Sequence, residues 1–420
     1  MLLRLYGWLM WLVQPLLRRK LARRAVAEPG YGQWVEERFG RYTQPPSNGW
    51  VWVHAVSLGE TRAAAVLIAA LRARMPGMRL LLTHGTATGR AEGTRLLRGG
   101  DLQAWQPWDM PGAVDRFLAQ FRPAVGILME TEIWPTLIAA CARERVPLVL
   151  ANARLSDKSL QGALRVPLLP HAYGALTAAY AQTEDDAARL RQAGAPVAGV
   201  FGNLKFDAAP EAAQLARGRA WRAAAGRPVL LFASSREGEE AALLAMLAAD
   251  RALQSKVQWL IVPRHPQRFD EVAALVRQQG FEVSRRSAWA DGPPAPQQAI
   301  WLGDSLGEMA LYYGLADLAL LGGSFEPLGG QNLIEAAACG CPVLMGPHTF
   351  NFAEAASLAE AAGAALRAAD LAAAVRLARQ LVADDAARAS AAQAGLAFAA
   401  AHRGAAARTA DAVVALVRAG

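Results

Sequence analysis

The chain has 420 residues, 53% of them hydrophobic, with a formal net charge of +8 and three cysteines. Its length is too great for one ordinary core and predicts two domains of roughly 150–200 residues. The charge, nearly all of it arginine, suits an anionic partner. No zinc-knuckle spacing, aromatic RNA-binding motif or basic heptad helix accompanies it, so no nucleic-acid partner is expected. Cys141, Cys339 and Cys341 form no framework, which points to a reducing compartment. The histidines are scattered and no cluster has metal-ligand spacing, so no metal is expected.

The first segment, residues 1–24, is apolar through Leu17 and then basic at Arg18, Arg19, Lys20, Arg23 and Arg24. It lacks the order of a signal peptide. It is also short for a spanning helix, which needs ~20 apolar residues, and Arg4, Gln14 and Pro15 interrupt it. Trp8, Trp11 and Tyr6 suit an interfacial position, and the basic cluster suits the cytoplasmic side and anionic lipid. A membrane anchor is expected, as a short span or an in-plane helix. The alternative is a helix packed on the body of the protein.

From Trp50 onward strands and helices alternate. Strands are expected at Trp50–His54, Leu80–Thr83, Ala104–Pro107, Val125–Met129, Val146–Ala151, Ala178–Ala181 and Val197–Val200, with helices between, as at Thr61–Ala73 and Gly112–Gln120. Residues 25–210 form the first domain on this reading. Glu211–Arg227 reads as a polar connector. A second series covers 211–370, with strands at Val229–Ala233, Trp259–Val262, Glu282–Val283, Ala299–Leu302, Leu318–Leu321 and Val343–Leu344. Residues 371–420 read as alanine-rich packed helices. The fold class is α/β, two doubly wound parallel-sheet domains, with ligands at the carboxyl ends of the strands in a cleft.

The chemistry-bearing residues cluster at those strand ends. Glu60 follows the first strand at a helix start. It is either a general base or an acidic residue stabilised by the helix dipole. Thr83–Arg90 suits an anionic group or a helix cap. Glu130 and Glu132 alternate after a hydrophobic strand, and either face one site or stand as solvated loop carboxylates. Arg154 follows the next strand. In the second half, Arg236, Pro263-Arg264 and the Leu306-Gly307-Glu308 loop each lie after a strand, where each alone also fits a solvated turn. Arg264 has the geometry for a bidentate phosphate contact. The run Leu318–Pro347 is strand, glycine loop, helix and strand. Ser324 lies in the loop, and Asn332-Leu333-Ile334-Glu335 opens the helix. Such a unit binds a phosphate at the helix start, with Glu335 placed for ribose hydroxyls, or is an ordinary βαβ turn.

HAVSLGE, METEIWP, NARLS, GNLKFD, SREGEE, PRHPQRF, GDSLGEM and GGSFEPLGGQNLIEAAACGCPV occur in this order. Together they resemble the 3-deoxy-D-manno-octulosonic acid (Kdo) transferases of Gram-negative bacteria, over nearly the whole chain. The resemblance implies a glycosyltransferase-B fold and inverting transfer of Kdo from CMP-Kdo to a lipid A precursor of the lipid IVA type. It places the enzyme at the cytoplasmic side of the cell inner membrane. It implies Glu60 as the catalytic base and no cofactor, CMP-Kdo being a substrate. It assigns Pro263, Arg264, Leu306, Gly307, Glu308, Asn332, Leu333, Ile334 and Glu335 to CMP, with Ser324 and Arg236 as further donor contacts. Glu130, Glu132 and Arg154 become acceptor or structural support. Arg236 stands where the family pattern has a histidine. Two competing readings are a UDP-sugar transferase of the same fold and a non-catalytic, membrane-tethered binding protein. HAVSLGE weighs against the first. The presence of Glu60, Arg264, Asn332 and Glu335 weighs against the second.

Overall fold

The structure is a computed structural model that describes residues 1–250, 256–290, 292 and 299–419. The chain forms two units, Met1–Asp207 with Arg403–Gly420, and Ala208–His402. The segment 371–420, read from sequence as one set of terminal helices, is therefore divided. Leu371–Ala383 packs Leu371, Ala374, Val375 and Ala378 into the core of the second unit. Ala405–Ala419 instead joins the core of the first, where Ala406, Ala410 and Val413 meet Ala64, Leu67 and Leu71 of the helix Leu58–Arg74.

The first unit holds β1 (Trp50–His54), β2 (Arg79–His84), β3 (Leu102–Trp105), β4 (Pro123–Met129), β5 (Leu148–Ala153), β6 (Ala178–Ala181) and β7 (Val197–Val200). They form one sheet in the order β3-β2-β1-β4-β5-β6-β7, every pair parallel. A sheet covered by helices on both faces needs strands that are apolar on both faces. β1 meets this by alternation: Trp50 and Trp52 enter one core, Val51 and Val53 the other.

The second unit holds β8 (Val229–Ser235), β9 (Gln258–Pro263), β10 (Val283–Arg285), β11 (Ile300–Leu302), β12 (Leu318–Leu321), β13 (Val343–Met345) and β14 (Ala365–Arg367). Its order is β10-β11-β9-β8-β12-β13-β14, again all parallel. The order reverses between β1 and β4 in the first sheet and between β8 and β12 in the second, where β10 also lies outside β11. Loops leaving the carboxyl ends of strands at such a point diverge and open a crevice for ligands.

Several elements differ from the sequence reading. β3 lies two residues earlier than expected and β5 two residues later. At the end of β3, the edge strand, the Trp105 N–H donates to Glu37 Oε2 at 2.8 Å and the Gln106 N–H to the His84 carbonyl at 3.2 Å. β14 was not expected. It is three residues long with Leu366 and Arg367 exposed, so it carries no apolar pattern. The supposed connector 211–227 is a helix, Ala212–Ala224, capped by the Glu211 carboxylate, which accepts from the N–H groups of Ala213 and Gln214. It packs on the helix Met309–Leu315 through Gly218, where any Cβ would strike the Leu311 carbonyl.

At the amino terminus the helices Leu2–Leu12 and Gln14–Ala27 follow one another. Among the described residues no helix is long and apolar enough to cross a membrane. One face of the first helix is held to the body: Gly7 is buried against Pro111, Met10 packs on Phe39 and Met110, and Tyr6 hydrogen-bonds to Asp109. The other face leaves Leu5, Trp8, Leu9, Trp11 and Leu12 exposed. Gly218→Ala should cost about 1–3 kcal/mol through overpacking, read as a lower thermal midpoint of the full chain.

Candidate active site

The switch point of the first sheet gathers three carboxylates. Ser57 ends the loop after β1 and caps the helix Leu58–Arg74, accepting from the Glu60 N–H at 3.4 Å. The Glu60 side chain folds back: Oε2 accepts from the Val56 N–H at 2.9 Å and Oε1 from the Ser57 hydroxyl at 3.0 Å. This reciprocal closure is close kin to a capping box. It fixes the direction of the carboxylate. Burial, and then the charge of Glu130, raise the Glu60 pKa above its ordinary value, against the lowering effect of the two hydrogen bonds and Arg154. The helix start therefore does not depress this carboxyl, because desolvation exceeds the stabilisation by the two donors.

Glu130 follows β4 with a left-handed backbone, φ +57°. Only a well-braced loop holds a non-glycine residue there. The brace comes from Ala151 and Arg154: the Glu130 N–H donates to the Ala151 carbonyl at 3.0 Å, and Arg154 Nε donates to Glu130 Oε2 at 2.9 Å. The turn sends Glu132 elsewhere, to accept from the Trp134 indole N–H at 2.7 Å. Burial and the charge of Glu60 raise its pKa to about 7. Glu130 is 6% exposed, and the Glu132 side chain is 21% exposed, so neither is a freely solvated loop carboxylate.

His54 ends β1 beneath these groups and is wholly buried. Burial lowers its pKa to about 3, and lowers that of His84, at the end of β2, to about 4. Thr86 resolves as a cap, accepting from the Gly89 N–H at 3.1 Å and donating to the Val56 carbonyl at 2.8 Å.

The switch point of the second sheet is built around a buried acid, Glu239, which begins the helix Glu239–Ala249. Its carboxylate accepts from the N–H groups of Gly323 at 2.8 Å, Phe325 at 3.3 Å and Arg236 at 2.9 Å. Amides of the glycine loop expected to await a phosphate thus serve an internal carboxylate. Ser324 is fully buried, and its hydroxyl donates to the Leu321 carbonyl and accepts from the Gly346 N–H at 2.8 Å. Its side chain locks the loop and is engaged within the fold, so a side-chain contact from Ser324 to a donor is not what this arrangement offers.

β8 pairs with β9 so that Ser235 and Pro263 are partners, and the Arg264 N–H donates to the Ser235 carbonyl at 3.0 Å. Arg264 Nε donates to Gln331 Oε1 at 3.1 Å, which ties the end of β9 to the loop before Asn332. The guanidinium of Arg236 pairs with Glu237 at 2.9 Å. Asn332 caps the helix Leu333–Ala338, its side chain accepting from the Ile334 N–H at 3.1 Å. Leu333 and Ile334 are core side chains and offer only backbone to a ligand, whereas Glu335 is half-buried. After β11, Glu308 pairs with Arg217 at 3.0 Å and Arg286 at 2.8 Å; Gly307 takes φ +78°, and Leu306 is exposed. Among the described residues no group of three or more His, Cys, Asp or Glu could hold a metal ion.

His54, Ser57, Trp134 and Glu239 were not singled out from sequence. The first three lie inside HAVSLGE and METEIWP and Glu239 lies in SREGEE, so the motifs themselves were the available signal.

Two parallel α/β units, each with polar side chains at its switch point, form the architecture seen in solved glycosyltransferases and in UDP-N-acetylglucosamine 2-epimerases. The fold is shared with a glycosyltransferase from Rickettsia africae, 12% identical, with a TM-score of 0.56 over 88% of this chain and 99% of that one. A family model described as 3-deoxy-D-manno-octulosonic-acid transferase matches residues 33–208. A 3-deoxy-D-manno-octulosonic acid transferase of Bordetella pertussis is 51% identical over 397 residues, 91% of this chain and 92% of that one. One from Haemophilus influenzae is 33% identical over 357 residues, 83% of each chain. The chain belongs to the 3-deoxy-D-manno-octulosonic acid transferase family.

The depressed His84 gives a signed stability test. Between its unfolded pKa, about 6.5, and its folded value of about 4, the unfolded chain binds a proton that the fold excludes, so His84 costs stability as pH falls. The stability of the wild type relative to His84→Gln should therefore decline from about pH 7.5 to about pH 5, by up to ~1.4 kcal/mol per pH unit below the unfolded pKa. Urea titrations of both proteins at each pH check this.

Proposed function

We propose that this protein transfers Kdo from CMP-Kdo to a lipid A precursor of the lipid IVA type, inverting the anomeric centre in one displacement with Glu60 as the general base. The observation that carries the reading is the state of Glu60 at the β1 strand end. Its carboxylate is aimed by Val56 and Ser57, and its basicity is raised by burial. A base poised nearer neutrality removes a hydroxyl proton more effectively than an ordinary carboxylate does. Family membership, at 51% identity to the Bordetella pertussis transferase, supports the sugar. Arg154 and Glu130 brace the loops around the base. Glu132 lies in the same group.

The donor belongs to the second unit on this reading. Arg264, Arg236 and the backbone of Asn332–Glu335 would meet the CMP phosphate, Pro263 and the Leu306–Glu308 loop would flank the nucleotide, and Glu335 would accept from the ribose. A monophosphate leaving group carries less charge than a diphosphate, so arginine and N–H groups suffice without a metal. The exposed apolar face at Leu5, Trp8, Leu9 and Trp11, followed by Arg18, Arg19 and Lys20, supports docking on the anionic cytoplasmic face of the inner membrane as an in-plane helix.

Mass spectrometry of the lipid A precursor after incubation with purified protein and CMP-Kdo tests the reaction. A gain of one or more Kdo masses is expected, whereas transfer from UDP-sugars alone would overturn it. Glu60→Ala should lower turnover by about 100-fold or more while CMP-Kdo affinity, measured by calorimetry, persists. Arg264→Ala should weaken donor binding by roughly tenfold or more, the worth of a charge-assisted hydrogen bond, and leave acceptor affinity unchanged.

A further inference from the structure

Beneath the three carboxylates lies a buried atom that no hydrogen bond satisfies. His54 Nε2 has no hydrogen-bond partner among the described residues, although the side chain is wholly buried. A buried polar atom in this state is costly and needs an explanation. The atom it meets is Glu132 Oε2, at 3.9 Å.

The ring's tautomer follows from its other side. Nδ1 lies 3.2 Å from the Thr83 carbonyl and 3.0 Å from the Thr83 hydroxyl. The carbonyl can only accept. The hydroxyl already accepts from the Trp52 indole at 2.8 Å and donates to Gln106 at 3.1 Å. Nδ1 therefore carries the hydrogen, and in a neutral ring Nε2 is then a bare acceptor. Only a donor can satisfy it. At 3.9 Å the two atoms are outside direct hydrogen-bond reach. An ionised Glu132 would hold lone pair facing lone pair. A protonated Glu132, after a side-chain shift of about 1 Å, would accept from the Trp134 indole and donate to His54 through the same oxygen. Glu60 is the reverse case. Both its oxygens receive donors, from Val56 and Ser57, which favours the ionised form.

We propose that Glu132 and His54 form a proton-holding pair that keeps the proton shared by the site carboxylates on Glu132 and off Glu60. The inference rests on Glu60 being the base. Glu132 is then a positioning residue: it sets the charge state of its neighbour and touches neither the departing nor the attacking atom. Two like charges in one crevice resist joint ionisation, and one proton settles where the surroundings accept it. The groups facing the pair agree. Glu60, on the helix after β1, and Glu130 both oppose the ionisation of Glu132, and Arg154 is already bonded to Glu130. His84 and Arg38 oppose protonation of His54. The pair enters each turnover as a carboxylic acid beside a neutral imidazole, and Glu60 enters it empty. When Glu60 takes the acceptor's proton, that proton leaves to solvent from Glu60 and the pair is unchanged.

The test has an arm without activity. In protein labelled with 15N at histidine, the Nε2 resonance of His54 should move with a midpoint near neutrality as Glu132 ionises. The step should vanish in Glu132→Gln, whose amide can donate to the ring at every pH. A resonance that is flat from about pH 5 to about pH 9 in the wild type, as a water bridge to an ionised Glu132 would give, or an equal step in both proteins, overturns the pair. The second arm is the pH profile of kcat/KM. His54→Phe removes the acceptor and should shift the acid limb upward by about one pH unit, as the proton passes to Glu60, while Glu132→Gln should not shift it upward. Equal shifts in both variants, or none in either, overturn the assignment. If His54→Phe does not fold, the labelled wild type and Glu132→Gln still decide. Failure of the wild type to transfer Kdo would instead sink the functional reading and leave the resonance test standing.

Discussion

Parallel pairing of β1 with β2 on one side and β4 on the other is the constraint from which the first site follows. Adjacent parallel strands end at the same edge, so the loops after β1 and β4 leave side by side in space although far apart in sequence. Glu60 and Glu132 are neighbours for that reason alone. The second unit repeats the device: β8 lies between β9 and β12, and the loops that leave these strands carry Arg236, Arg264 and the glycine loop. Neither sheet needs a special residue to open its crevice, because the reversal of strand order does so.

Within the first crevice the fold handles three carboxyl groups in three ways. Glu130 has a guanidinium. Glu60 has two dipolar donors and an environment dry enough to raise its basicity. Glu132 has an indole on one side and the base of a neutral histidine on the other. Identical side chains are thereby given different proton affinities, which is the arrangement an acid–base site requires. The second crevice shows the opposite economy. There a carboxylate, Glu239, acts as an internal anion that folds the glycine loop around itself, so the loop takes its shape from within the fold.

Much of this was legible in the chain. β1, β6 and β12 fall at the bounds their apolar runs indicate, since buried parallel strands announce themselves as short hydrophobic stretches ending in polar turns. Glu60 was visible because it stands at the start of a helical pattern directly after the first apolar strand. What escaped has physical reasons. β14 is too short and too exposed to carry a period. The helix 212–224 is polar because so little of it is buried, only Gly218 and Trp221, and a polar helix reads as a linker. Ser324 reads as a donor contact from the family resemblance alone. Its actual partners lie within the fold, at the end of its own strand and after β13. The orphaned nitrogen of His54 had no signal at all, since an unsatisfied atom is a property of packing and not of composition.

The return of Ala405–Ala419 to the first unit has a bearing on how the protein is made. The core under the helix Leu58–Arg74 includes Ala405, Ala406, Ala410 and Val413, and these are synthesised after the whole of 208–402. On the ribosome the second unit can complete its core while the first still lacks one wall. The first unit, with its amino-terminal apolar helix, must wait with part of its hydrophobic surface uncovered until residues 405–419 have emerged. Emergence of that helix, rather than of residues 1–207 alone, is thus the event that closes the unit holding Glu60.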